Sequence, residues 1–123
     1  MIAAYIVPIL VVSGAFTMGL IALTLAPRAV SHAIFGVEVT DALTIFLARY
    51  TGLLVFLFGA LIVVSAFHPE IRRPVLIAAC IEKLALVLFV LSRTLRPTPL
   101  MIAAAAADSL FVILYLAYLA STY

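Results

Sequence analysis

Four long apolar runs separated by short polar interruptions decide what this chain can fold into. Each run comes close to the ~20 residues that an α-helix needs to cross the hydrocarbon of a bilayer. Of 123 residues, 68% are hydrophobic and only 10% are charged, a balance that a water-soluble globule of this size could not hide in its core. The expectation is an all-α fold, an integral membrane four-helix bundle forming a single transmembrane domain over 1–123. Its spans are expected at about 2–26, 42–67, 74–92 and 100–120.

The interruptions carry the signals that end and start helices. Pro27 and Arg28 close the first run, and Pro8 is a candidate kink within it. The N-terminus lacks a basic n-region and runs straight into apolar sequence, so it reads as a first span rather than a cleaved signal peptide. Between Arg28 and Thr40, Val30, Ala33, Ile34 and Val37 alternate with Ser31, His32 and Glu38, which suggests a short segment lying at the membrane interface. Thr40 or Asp41 is placed to cap the second span. His68 to Pro74 reads as a polar turn, with Pro74 at the first position of the third helix, and Arg93 to Pro99 reads as another.

Four spans put both termini on one side of the membrane. Arg28, Arg93 and Arg96, with Arg49 nearby, stand against Arg72 and Arg73, and this balance favours cytoplasmic first and third loops in a bacterial-type inner or plasma membrane. The few scattered charges exclude a nucleic-acid footprint. With Cys80 as the single cysteine and His32 and His68 on opposite faces of the membrane, no disulfide, metal site or cofactor is expected. Tyr115, Tyr118 and Tyr123 fit an interfacial aromatic belt. Ser13, Thr17 and Thr24 form a mildly polar face of the first span, suited to helix contacts.

The informative residues are those that ionise at membrane depth: Arg49, Glu82, Lys83 and Asp108. Along a helix rising 1.5 Å per residue, Asp108 lies ~13 Å and Glu82 and Lys83 ~15 to 17 Å from the same membrane face, with Arg49 shallower. Each isolated charge at such depth costs ~2.5 to 3.5 kcal/mol or more, so two cations and two anions in overlapping layers are expected to pair inside the bundle. Small residues accompany them: Gly52 and Gly59 beside Arg49, Ala78, Ala79 and Ala85 beside Glu82, and Ala104 and Ala105 beside Asp108. Small neighbours permit close helix packing and equally leave room for a ligand, so the cluster reads either as a structural lock or as a binding site.

The segment Ala48-Arg49-Tyr50-Thr51-Gly52, followed by Gly59 and by acidic residues in later spans, resembles small DoxX-like four-helix membrane proteins over roughly 49–118. The resemblance implies the four-span architecture, in a group that includes subunits associated with quinone-linked oxidation. Small multidrug transporters have a similar length, but their essential acidic residue lies in the first span, which is uncharged here.

Minimal loops favour a non-catalytic accessory or interaction subunit of a larger membrane complex, whose partners are the lipid bilayer and other membrane subunits or further copies of itself. The alternative is a binder or carrier of a small lipophilic or ionic ligand at Arg49, Glu82, Lys83 and Asp108. An enzyme using Glu82 and Asp108 as an acid and base is a third reading, but no further positioned group accompanies them and no catalytic residue is assigned.

Overall fold

A computed structural model describes residues 2–92 and 97–122, so Arg93, Arg96 and Tyr123 lie outside the described residues. A 3₁₀ turn over Ile2–Tyr5 leads into α1 (Ile6–Met18), α2 (Ile21–Leu25), α3 (Pro27–Phe35), α4 (Ala42–Phe67), α5 (Pro69–Leu91) and α6 (Pro99–Thr122). The fold is all-α. Four helical stretches are long and apolar enough to cross a membrane: Ile6–Leu25, Ala42–Phe67, Pro69–Leu91 and Pro99–Ser121. They form a closed bundle in which each span packs on its sequence neighbours, and α6 returns to α1.

The first span is interrupted where the sequence did not suggest it. Pro8 lies in the first turn of α1, where its missing amide has no helical partner to lose, and the helix runs through it. The interruption comes instead at Gly19 and Leu20, whose amides bond to Phe16 and Thr17 carbonyls three residues back at 3.2 and 3.3 Å. The Thr17 hydroxyl donates to the Ser13 carbonyl at 2.9 Å, a back-bond of the kind that bends helices. A short tightened stretch therefore joins α1 to α2 within the apolar layer.

Glycines set how closely the first two spans approach. A Cβ on Gly59 would lie 2.7 Å from both the Gly14 carbonyl oxygen and the Met18 amide nitrogen, and one on Gly14 would lie 2.8 Å from the Gly59 carbonyl oxygen. Seven residues before Gly59, a Cβ on Gly52 would collide with the backbone of Leu20 and Thr24. In lipid such backbone proximity replaces the hydrophobic effect as the source of helix association.

The connections are helical both where the sequence suggested a short interfacial segment after Arg28 and where it suggested a turn over 68–74. The segment after Pro27 is the helix α3, which ends at Gly36 in a left-handed conformation, φ 70°, that glycine adopts without steric cost. The stretch 68–74 is no extended turn: α5 starts at Pro69, and Pro74 sits inside it. A proline in the second turn removes at most one early helical hydrogen bond, so the helix tolerates it there. Asp41 caps α4, its Oδ2 accepting from the Thr44 amide at 2.9 Å and the Thr44 hydroxyl at 2.6 Å. Thr98 both donates to the Ile34 carbonyl and accepts from the Met101 amide, tying α3 to the start of α6.

Two outcomes follow from these contacts. Gly59→Ala pushes α1 away from α4 and is expected to destabilise the bundle by about 1–3 kcal/mol, measured as a lowered thermal unfolding midpoint in detergent. The hydrogen bonds from Thr44 hold the Asp41 carboxyl below its ordinary value of 3.8. A depressed folded value means that this cap stabilises fully above the ordinary carboxylate range and is lost as pH falls through the folded value. The acid-side fall in the unfolding midpoint should therefore be shallower in Asp41→Asn, whose amide oxygen caps without titrating.

Candidate functional site

Lys83 and Asp108 are the charged centre of the bundle. The Lys83 Nζ lies 3.0 Å from Asp108 Oδ1, and the two residues are 1% and 4% exposed, so both charges are withdrawn from the surroundings. The same ammonium donates to the Thr17 hydroxyl at 2.9 Å and stands 5.4 Å from the centre of the Phe111 ring. An ammonium has three protons to place, and a carboxylate, a hydroxyl and an aromatic face supply recipients for it.

This centre continues as a polar chain. The Thr17 hydroxyl donates to the Ser13 carbonyl, the Ser13 hydroxyl accepts from the phenol of Tyr115, and Tyr115 is completely buried. The network thereby joins α1, α5 and α6. The Lys83 side chain reaches across the bundle from α5 to α1, two spans that stand diagonally rather than side by side. Its placement deep in the interior follows from Ala79 and Cys80, buried one turn before it on the face that α5 turns inward.

Glu82 lies beside this pair but outside its bonding. Its exposure is intermediate, it forms no ion pair among the described residues, and its Oε2 is buried without a hydrogen-bond partner. Of the small residues near it in sequence, Ala78 is exposed, Ala85 half-buried and Ala79 fully buried.

The structure does not bring Arg49 to this centre. Arg49 is exposed, and with Arg28, Ala26, Pro27, Ala29 and Ile45 it lines a surface cavity of about 470 Å³ at the other end of α4 from the polar turn. Gly52 and Gly59 face the first span, the Arg49 carbonyl accepts from the Thr24 hydroxyl at 2.8 Å, and Arg49 borders the residues that follow that span. Tyr50 is exposed as well and stacks on Phe46, with ring centroids 6.3 Å apart.

Three functional-looking residues escaped the sequence reading. Arg72 stands in the expected turn yet is 7% exposed. Its Nε donates to the Ser65 carbonyl at 3.0 Å, one terminal nitrogen to Ala66 at 2.8 Å and the other to the Tyr118 hydroxyl at 3.1 Å. It closes the carbonyl end of α4, where the helix dipole favours a cation. Tyr115 and Tyr118 are core residues, not the interfacial anchors expected of them, because each hydroxyl has a buried partner on another helix or turn. The signal available in the sequence was their spacing. Asp108, Tyr115 and Tyr118 recur at seven and three residues, on one helical face with the buried Val112.

No family model matches the chain, and no curated protein or solved structure matches it. What the centre can do is therefore judged from its geometry. Its cation and anion neutralise each other at contact distance, Thr17 and Phe111 occupy further sides of the ammonium, and no group of three metal-ligating side chains occurs among the described residues.

A double-mutant cycle tests this pairing. Lys83→Met or Asp108→Leu alone leaves one buried charge without its partner and is expected to cost about 3–5 kcal/mol. The double replacement should recover most of that loss, measured by unfolding in detergent. Additive losses in the double variant would mean that the two residues act independently.

Proposed function

We propose that this chain is a small, non-catalytic interaction subunit of a multi-pass membrane assembly, in a bacterial-type inner or plasma membrane. It meets its partners, other membrane proteins or further copies of itself, through the outer faces of its helices. The carrying observation is Glu82, an ionisable residue in mid-span that is only half-buried and forms no ion pair among the described residues, Lys83 being taken by Asp108. A carboxyl that reaches the margin of the bundle is costly to leave in hydrocarbon, and a donor from a neighbouring helix relieves that cost.

The surrounding surface supports the same reading. Ile77, Ala78, Ile81 and Leu84 of α5 are exposed around Glu82, a mixture of small and branched side chains suited to close helix contact. A ligand in a central charged pocket receives less support, because Lys83 and Asp108 already occupy each other. The resemblance to DoxX-like four-helix proteins, read over roughly 49–118, belongs to this proposal.

The test is native mass spectrometry of the chain extracted with its lipids, comparing wild type with Glu82→Leu. Association with a second copy or another membrane protein is expected in wild type, weakened about 3- to 30-fold in the variant, while the thermal midpoint of the isolated bundle is kept or raised. A wild-type chain found only as a monomer, or an assembly indifferent to the substitution, would overturn the reading.

A further inference from the structure

The cavity beside Arg49 has a chemistry of its own. Two arginines, Arg28 on α3 and Arg49 on α4, line one recess of about 470 Å³, and neither forms an ion pair among the described residues. Cations sharing a recess repel each other unless an anion lies between them. The rest of the lining is compact and apolar: Ala26, Pro27, Ala29 and Ile45.

The arrangement is held by backbone contacts. The Thr24 hydroxyl donates to the Arg49 carbonyl at 2.8 Å, and Gly52 lets the Leu20 to Thr24 backbone lie directly against α4. Pro27, the first residue of α3, is buried, which fixes where Arg28 emerges. The two arginines therefore stand on rigid elements that meet at one place, and the ends of the first span and of α4 put that place near the membrane boundary. The first turn of α3 borders the recess without a side-chain cap, so its free amides add positive potential on the same side.

We propose that Arg28 and Arg49 form a binding site for a phosphate group, the phosphodiester of an anionic lipid headgroup or a free phosphate that reaches the interface. Guanidinium groups bind phosphate oxygens in bidentate, charge-assisted pairs, and the apolar walls accept the first carbons of a glycerol backbone. This site is independent of Glu82, so it stands or falls separately from the assembly reading.

The test titrates the full chain in a neutral detergent with phosphatidylglycerol, with diacylglycerol, which has the chains but no phosphate, and with inorganic phosphate. Binding is read by native mass spectrometry and by the thermal midpoint. Phosphatidylglycerol is expected to bind about 30-fold more weakly to Arg28→Gln/Arg49→Gln and about fivefold more weakly to each single variant. Arg73→Gln, at the opposite membrane face, should leave its affinity unchanged.

Arginine-dependent binding of phosphatidylglycerol alone identifies a lipid headgroup site, and the same dependence for inorganic phosphate identifies a site for the free ion; both support the proposal. Equal retention of diacylglycerol and phosphatidylglycerol, or an unchanged affinity in the double variant, overturns it. Ala29→Glu places a carboxylate in the recess without removing either arginine. Should the double variant fail to fold, undiminished phosphatidylglycerol binding by Ala29→Glu overturns the proposal in its place.

Discussion

Hydrocarbon does not solvate charge, and the interior of this bundle is organised around that constraint. The Lys83 ammonium and the Asp108 carboxylate lie 3.0 Å apart in a region from which surroundings are excluded, each the other's main compensation. A buried ion pair adds little net stability relative to apolar residues of similar size, but breaking it strands a charge, so it acts mainly on choice among arrangements. Turning α6 by one residue would swing Asp108 about 100° around its axis and away from Lys83. Thr17 and the chain through Ser13 to Tyr115 extend the same demand to the first span, so three of four spans share one register requirement.

The second span is held differently. Its inner face carries Gly52 and Gly59, and its hold on the first span is backbone against backbone, with Thr24 donating to the Arg49 carbonyl near one end. At the other end Arg72 turns back from α5 to saturate the Ser65 and Ala66 carbonyls, which an α-helix leaves free in its last turn. With those carbonyls satisfied, the link between α4 and α5 contracts to His68 alone. Polar satisfaction and close packing thus divide the bundle between them, and Arg72, a residue of the turn in sequence, becomes part of the core through Tyr118.

The architecture was legible because span length and hydropathy are properties of a single segment. Residues 42–67 could be bounded on both sides, by Asp41 as a cap and by the polar His68. Pairing was less legible because it depends on azimuth. Glu82 and Lys83 are adjacent in sequence, yet about 100° of helical rotation separates a side chain at the centre of the bundle from one at its margin. Arg49 shows the same difficulty: it lies near the glycine stripe, but it is exposed in a recess with the residues that follow the first span rather than in the centre of the bundle. The interruption at Gly19 was hidden because Pro8 is the more obvious breaker, and only the position of Pro8 in the first turn makes it harmless. Arg72 was hidden because a cation in a loop ordinarily faces water, and nothing local indicates that two carbonyls and a phenol await it.

A sealed interior shifts recognition to the outside. Lys83 and Asp108 are already satisfied, and the ionisable residues without an ion pair among the described residues include Glu82 in mid-span and the Arg28 and Arg49 pair toward one boundary. Their signs and depths differ in a way that fits different surroundings. A half-buried carboxyl within the apolar layer suits a donor that another helix carries into the hydrocarbon, since lipid tails offer none. Guanidinium groups near the boundary are within reach of headgroups, and their long stems let them lie along apolar surface while the charge meets an anion. The same solvent that forces the interior to close on itself thereby sorts the exterior by depth, matching the proposed protein neighbour to Glu82 and the proposed phosphate to the two arginines.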